Sequence, residues 1–271
     1  MTPASKRVRV PDLVEMKKRG EKIVALTAYD FTMAQIFDRA GVDILLVGDS
    51  LGNVIMGCET TLPVTMEAML HHTAAVSRAA RRALVVADMP FLAAQITPEL
   101  ALRNAGRLVA RAGAAAVKIE GGRPVAGAVR KIVEAGIPVM GHLGLTPQAV
   151  HQLGGFRKQG RNPEEAAMLA EQARLLQEAG VFAVVLENVP DELAARITAE
   201  LRVPTIGIGA GAGCDGQVLV CYDMLGLSQG PTPPFAKRYA DLGAKMEEAA
   251  RQYAAEVRRG EFPRSARMEE D

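Results

Sequence analysis

The chain has 271 residues, of which 49% are hydrophobic and only 4% aromatic. Its 32 lysine and arginine residues are balanced by 31 aspartate and glutamate residues, so it lacks the basic surface on which nucleic-acid binding depends. The sequence has no apolar stretch of the roughly 18 residues that a membrane span needs, and its N-terminal segment does not resemble a signal peptide. Cys58, Cys214 and Cys221 match neither zinc-site nor disulfide spacing, so we assign them no role and expect a cytoplasmic protein.

Eight short apolar segments recur along the chain, each bounded by glycine, proline or a helix-start signal. The predicted strands are 23–28, 44–48, 84–87, 115–119, 138–141, 182–186, 204–208 and 217–221. Stretches with helical periodicity separate them. Eight alternating units without a GxGxxG turn after the first strand favour a closed (β/α)8 TIM barrel over a doubly wound sheet.

The whole chain, 1–271, is predicted to form a single barrel domain. An additional charged, amphipathic helix is expected as a C-terminal extension from about residue 233, over 233–259. Two βα loops, 51–63 and 143–161, are longer than the others, which is typical of lids over a barrel mouth.

The ends of the predicted strands are unusually acidic. Asp49, Asp88, Glu120, Glu187 and Asp223 lie where barrel enzymes place their active sites. Any of these residues could simply cap a helix, and we prefer that interpretation for Asp223. Asp49, Asp88 and Glu120 come from adjacent strands and would repel one another unless a cation lies among them. Oxygen ligands with no nearby cysteine select a hard cation, so the sequence predicts Mg²⁺ rather than zinc.

Three of the polar residues near the strand ends, Lys118, Glu187 and His142, allow more than one interpretation. The strand period of two places Lys118 on the same face as Glu120, where it could form an ion pair, hold a substrate carboxylate or form a Schiff base. Glu187 is either a general base partly desolvated by its apolar neighbours or a helix-capping residue. His142 is either a substrate contact or a core histidine.

Nine segments, in one order from near the start to near the end, carry a resemblance to a known family. They are Leu-Thr-Ala-Tyr-Asp at 26–30, Val-Gly-Asp-Ser-Leu-Gly-Asn at 47–53, Thr-Leu-Pro-Val-Thr at 61–65, Ala-Asp-Met-Pro-Phe at 87–91, Val-Lys-Ile-Glu-Gly-Gly at 117–122, Gly-His-Leu-Gly-Leu-Thr-Pro-Gln at 141–148, Leu-Glu at 186–187, Ile-Gly-Ile-Gly-Ala-Gly at 206–211 and Cys-Asp-Gly-Gln-Val-Leu-Val at 214–220. With these segments the chain resembles the ketopantoate hydroxymethyltransferases (3-methyl-2-oxobutanoate hydroxymethyltransferases).

The resemblance implies an Mg²⁺-dependent barrel enzyme of pantothenate biosynthesis. Such an enzyme transfers a hydroxymethyl group from its co-substrate 5,10-methylenetetrahydrofolate to 3-methyl-2-oxobutanoate, giving 2-dehydropantoate through a magnesium-stabilised enolate. The resemblance also implies a homo-oligomer, since the family is known for decamers.

Family roles fall on matching positions of this sequence. The resemblance makes Asp49 and Asp88 magnesium ligands, with Glu120 completing the site directly or through water, and makes Glu187 the general base. The keto acid contacts that it implies are Asp49, Ser50, Asp88 and Lys118, with His142 as a further candidate.

The sequence departs from the family pattern at two places. Ala93-Ala94 stand where many members carry Ser-Tyr, and Tyr222 stands where a histidine is common. Neither place is a proposed metal or base position, so the departures affect only loop contacts and the fit of folate.

Three alternatives to this function stay open at the level of sequence. Another Mg²⁺-dependent carbon–carbon lyase or mutase acting on a 2-oxo acid would share the metal site without needing folate. A class I aldolase would use Lys118 without metal, and a catalytically idle barrel would serve as an assembly or ligand-binding subunit. The intact set of acids argues against the last.

Overall fold

Short runs rich in valine, isoleucine and leucine form eight parallel strands, which close into a barrel in sequence order. The computed structural model describes residues 6–155, 157–228, 230 and 233–263. The strands are β1 Ile23–Thr27, β2 Ile44–Val47, β3 Leu84–Asp88, β4 Ala116–Glu120, β5 Val139–Gly144, β6 Ala183–Glu187, β7 Thr205–Ile208 and β8 Gly216–Leu219. β1 pairs with β8, with Ala25 opposite Val218, and this pairing confirms the predicted (β/α)8 barrel.

The helices alternate with the strands, and several of them begin at a side-chain N-cap. They are α1 Val10–Arg19, α2 Phe31–Arg39, α3 Leu51–Val54, α4 Met66–Ala79, α5 Pro98–Ala112, α6 Ala126–Glu134, α7 Val150–Leu153, α8 Pro163–Glu178, α9 Asp191–Glu200, α10 Cys221–Leu225 and α11 Leu242–Arg258. The side chains of Asp30, Thr65, Thr97 and Asn162 each accept a backbone N–H in the first turn of a helix. Two 3₁₀ turns, Arg123–Val125 and Pro147–Ala149, follow β4 and β5.

Three element boundaries differ from the sequence prediction by more than one residue. β8 ends at Leu219, and Cys221 begins α10, because the Cys221 N–H donates to the side-chain Oγ1 of Thr27 at 2.9 Å rather than to a backbone carbonyl of β1. β5 continues to Gly144, which pairs with Glu187 of β6. The predicted helix 233–259 is observed only as α11, Leu242–Arg258; Pro234 disfavours a helical conformation at the preceding proline, and residues 233–241 form a turn and irregular structure.

The chain divides into two compact units, Met1–Cys221 and Tyr222–Asp271. The first contains the barrel. The second contains α11, in which no residue is buried. A single domain over 1–271 therefore stays a prediction. Among the described residues, no helix combines the length and the apolar character needed to cross a bilayer.

The barrel interior is aliphatic and continues directly into polar residues at one end. Val86, Ala116, Met140 and Val185 are buried in the core cluster. Because strand side chains alternate between faces, the residues two positions further along point to the same interior. Those residues are Asp88, Lys118, His142 and Glu187. Because of the strand period, these four polar side chains therefore lie at the C-terminal mouth of the barrel.

A buried carboxylate on α2 holds the turn before β3. Asp38 accepts the backbone N–H groups of Arg81, Arg82 and Ala83 at 3.0, 3.0 and 2.7 Å. By contrast, Asp30, the cap at the start of α2, accepts the N–H of Met33 alone.

Replacing Asp38 by Ala is expected to lower the free energy of unfolding by about 3 kcal/mol, because three backbone donors lose their acceptor in a buried turn. Asp30→Ala, the matched control on the same helix, is expected to cost about 1 kcal/mol. Urea unfolding of both variants measures the difference. Equal losses in the two variants would contradict the structural role of Asp38.

Candidate active site

Five consecutive strands, β2 to β6, bring the predicted site residues together at the C-terminal mouth of the barrel. The strand register sets Asp88 opposite Lys118, Glu120 opposite His142, and Gly144 opposite Glu187. The members of this acid cluster are Asp49, Asp88, Lys118, Glu120, His142 and Glu187. The first five are at most 5% exposed, whereas the Glu187 side chain is 16% exposed.

Lys118 lies at the centre of the acid cluster. Its Nζ is 2.9 Å from Asp88 Oδ1, 4.0 Å from Glu120 Oε1 and 3.1 Å from His142 Nδ1. Burial alone would lower the pKa of Lys118, but the carboxylates of Asp88, Glu120 and Asp49 outweigh it and raise the pKa well above its usual value. Lys118 is therefore a protonated ammonium at neutral pH.

Asp49 and Asp88 form the more crowded side of the cluster. The Asp49 N–H donates to Asp88 Oδ2 at 3.0 Å. Burial and then repulsion from Glu120 and Asp88 raise the pKa of Asp49 well above its usual value. Burial also raises the pKa of Asp88, although Lys118 opposes this shift. Three carboxylates, with Glu120, surround one ammonium, so the fully ionised group lacks two positive charges.

Glu120 is the better satisfied of the three carboxylates. Its Oε2 accepts the N–H of Gln148 at 3.0 Å, and its Oε1 lies 3.4 Å from His142 Nδ1. Burial would raise the pKa of Glu120, but His142, Lys118 and the Gln148 N–H together lower it. Glu120 is thus ionised without any added cation.

His142 bridges the two ends of the cluster. Its Nε2 is 3.2 Å from Glu187 Oε2. Burial and Lys118 lower the pKa of His142, but Glu120 and Glu187 outweigh them and raise it to about 9. At neutral pH the ring is therefore protonated on both nitrogens, with Nδ1 toward Glu120 and Nε2 toward Glu187, even though Lys118 Nζ lies 3.1 Å from Nδ1. His142 thus contacts the acid cluster and is not an isolated core histidine.

Two residues that sequence reasoning assigned no role also belong to the site. Gln148, in the 3₁₀ turn after β5, donates from Nε2 to Asp49 Oδ2 at 2.8 Å and to the Met89 carbonyl at 3.0 Å. Tyr29 is fully buried, and its hydroxyl lies 2.8 Å from Ser50 Oγ. Their only sequence signal is membership of the quoted segments, since neither is charged and neither ends a strand.

The oxygen-rich side of the cluster fits a divalent cation. Among the described residues, no three His, Cys, Asp or Glu side chains are already arranged as a metal site. Magnesium, however, is usually held by one or two carboxylates together with water and substrate. Asp49 and Asp88 meet that requirement, because buried Asp88 Oδ1 has, among the described residues, only the ion pair with Lys118 at 2.9 Å and can accept a further ligand. A dication would also supply the two missing positive charges.

Comparison with known proteins identifies the family. The family model described as ketopantoate hydroxymethyltransferase matches residues 7–265. The 3-methyl-2-oxobutanoate hydroxymethyltransferase of Syntrophus aciditrophicus (strain SB) is 58% identical over 92% of this chain and 91% of that protein. The enzyme of the same name from Moorella thermoacetica is 58% identical over 95% and 96%. The chain belongs to the ketopantoate hydroxymethyltransferase family.

Solved structures agree on the fold. A phosphonopyruvate hydrolase in complex with oxalate and Mg²⁺ aligns with a TM-score of 0.64 at 13% identity, covering 96% of this chain and 90% of that one. A 2,3-dimethylmalate lyase of the PEP mutase/isocitrate lyase superfamily aligns with a TM-score of 0.58 at 16% identity, covering 96% and 90%. At this identity the likeness establishes only the barrel architecture.

Gln148→Leu is expected to weaken Mg²⁺ binding about 10- to 100-fold, because the side-chain amide that holds the Asp49 carboxylate is lost. The substitution keeps the Gln148 backbone N–H that Glu120 accepts, so the barrel mouth should stay folded. Gln152→Leu, four residues further along and exposed, is the matched control and should bind Mg²⁺ normally. Calorimetric titration with Mg²⁺ measures the affinity of each variant. Equal Mg²⁺ affinities in Gln148→Leu and Gln152→Leu would refute an orienting role for Gln148.

Proposed function

We propose that the chain transfers a hydroxymethyl group from 5,10-methylenetetrahydrofolate to 3-methyl-2-oxobutanoate, giving 2-dehydropantoate for pantothenate biosynthesis. The observation that carries the proposal is the acid cluster itself, in which three carboxylates surround a protonated Lys118 while Glu187 stands apart at the edge. Membership of the ketopantoate hydroxymethyltransferase family supports this reaction.

The metal side of the cluster would bind magnesium. Asp49 and Asp88 are the proposed ligands, and Glu120 would complete the site directly or through water. Magnesium held there would supply Lewis acidity toward the 2-oxo acid and stabilise negative charge on its enolate. The hydrogen bond from Gln148 to Asp49 and that from the Asp49 N–H to Asp88 would hold these carboxylates in place.

The keto acid would lie between Lys118 and Ser50. Lys118 stays protonated in its acidic surroundings and so offers a fixed positive charge to the substrate carboxylate. The hydroxyl of Ser50 would be oriented by its hydrogen bond with the hydroxyl of Tyr29, whose side chain is fully buried. Asp49 and Asp88 would contact the same substrate, and His142 is near enough to the cluster to contact a substrate oxygen.

Glu187 is the proposed general base. It is more accessible than the other acids of the cluster, and His142 Nε2 faces its carboxylate at 3.2 Å. Glu187 would take the proton from C3 of the keto acid, leaving its electron pair in the enolate. The new carbon–carbon bond then forms to the donor's methylene carbon, whose bonds to the two folate nitrogens break. Overall one water is consumed, its oxygen becomes the product hydroxyl, and tetrahydrofolate leaves protonated on nitrogen.

The protonation of Lys118 argues against the metal-free aldolase. A Schiff base needs an uncharged amine, whereas the surrounding carboxylates stabilise the ammonium. The Mg²⁺-dependent lyase or mutase is the second candidate, since it would use the same acids on the same class of substrate. Family membership favours hydroxymethyl transfer over it, and the requirement for folate distinguishes the two.

Assembly and location follow the family resemblance. We infer a cytoplasmic homo-oligomer, a decamer by that resemblance. The exposed apolar side chains of Phe31 and Ile36 on α2, 44% and 48% accessible, are compatible with a subunit contact.

The reaction should begin with exchange of the C3 proton. In deuterium oxide with Mg²⁺ and no folate, the protein is expected to exchange the C3 proton of 3-methyl-2-oxobutanoate, and chelation of the metal should abolish both exchange and transfer. Glu187→Gln should slow exchange by about 10² to 10⁴ because the base is lost, while Mg²⁺ still binds. Proton NMR follows exchange, and calorimetry follows metal binding.

Glu192→Gln, on α9 and close in sequence, serves as the matched control and should exchange at the parent rate. Exchange that survives metal removal, together with trapping of Lys118 by borohydride, would support the Schiff-base mechanism instead. Full exchange in Glu187→Gln would assign the base to another group.

A further inference from the structure

A pocket of about 370 Å³ lies beside the acid cluster at the barrel mouth. Its volume falls within the range of small-molecule sites. Every residue that lines it comes from β4 or from the loops that follow β2 to β5, whereas Glu187 ends β6. The pocket is therefore formed without the proposed base.

One residue of the acid cluster, Glu120, and its hydrogen-bond partner Gln148 also line this pocket. Glu120 and Gln148 present one side to the pocket, while Glu120 contacts His142 and Gln148 contacts Asp49. A molecule in the pocket would therefore lie next to a keto acid bound at the acid cluster. That is the place from which a second substrate can deliver a carbon atom.

The walls of the pocket suit a flat heterocycle. Leu62, Phe91 and Pro124 supply apolar surface, and Phe91 is 42% exposed. An aromatic ring left open at a polar mouth provides a stacking surface for another flat ring. The side-chain amides of Gln95 and Gln152 offer both donors and acceptors, which match the mixed edge of a pyrimidinone.

The segment that carries Phe91 is held in an unusual backbone conformation. Leu92, the next residue, has φ +62°, in the left-handed region that costs a non-glycine residue about 1–2 kcal/mol. The Ala93 N–H donates to the Pro90 carbonyl at 2.9 Å and closes this turn. Strain of this kind collects at functional sites, here where an apolar ring is displayed at the mouth.

From these observations we propose that the pocket binds the pterin ring of the one-carbon donor, with the ring stacked on Phe91 and its polar edge toward Gln95 and Gln152. This assignment rests on the proposed function, since only a folate-dependent transfer requires such a site. The donor would thus contact Phe91, Gln95 and Gln152, in a pocket that Glu187 does not line.

Two variants test the pocket in different ways. Phe91→Ala removes the stacking surface, and Gln152→Trp fills the pocket from exposed helix α7. Each is expected to raise the KM for 5,10-methylenetetrahydrofolate, and the dissociation constant for tetrahydrofolate, at least about tenfold, as loss of a stacking contact does elsewhere. Phe235→Ala, which removes a similarly exposed phenylalanine from the second unit, is the matched control and should change neither value.

The folate-free exchange of the C3 proton separates the possible outcomes. If parent protein neither exchanges nor transfers, the proposed function itself fails. If the parent does both, and the two variants exchange normally but bind tetrahydrofolate poorly, the pocket assignment is supported. Parent-like folate affinity in both variants overturns it, whatever the transfer rate. Since Phe91 and Gln152 are exposed, circular dichroism should report native folding in both.

Discussion

The excess negative charge around Lys118 is the constraint on which the rest of the site depends. Asp49, Asp88 and Glu120 are all nearly inaccessible, and a single ammonium lies among them. At an effective dielectric constant of 20, two like charges 4 Å apart repel by about 4 kcal/mol. Burial first, and then this repulsion, raise the pKa of Asp49, because protonation removes the charge that is unfavourable there. A dication would remove the same cost without protonation, which supports the proposed magnesium site.

The barrel creates this crowding through register and backbone contact. Adjacent parallel strands place Asp88 beside Lys118 and Glu120 beside His142, and two glycines allow the closest approaches. A Cβ on Gly48 would lie 2.7 Å from Ser50 Oγ. One on Gly144, which has φ +91°, would lie 2.2 Å from the Glu187 carbonyl oxygen. A side chain at Gly48 would displace the Ser50 hydroxyl, and one at Gly144 would force β5 from β6, so both glycines are part of the site's geometry.

Sequence reasoning works where chemistry and periodicity coincide, and it fails where a contact depends on loop geometry. The strand period and the acids at strand ends were sufficient to place Asp49, Asp88, Lys118, Glu120 and Glu187 at one mouth. Gln148 has no charge and lies in a 3₁₀ turn, so nothing in its spacing indicated that it would reach Asp49, 99 residues away. The end of β8 was misplaced for a similar reason, because a side-chain acceptor, Thr27, takes the Cys221 N–H. Regular elements follow from local pattern, whereas such bonds follow only from the assembled barrel.

The loop after β5 couples the two halves of the proposed reaction. Gln148 holds Asp49 and Glu120 on one side, and on the other it accepts a hydrogen bond from Gln95 at 3.3 Å within the proposed donor pocket. A ring bound in that pocket would restrict Gln95 and, through it, the amide that orients a metal ligand. By linkage, any change that a donor in this pocket makes to the affinity for magnesium would be matched by an equal change that magnesium makes to the affinity for the donor. The two proposed sites would thus be linked through one glutamine, without any movement of the barrel strands.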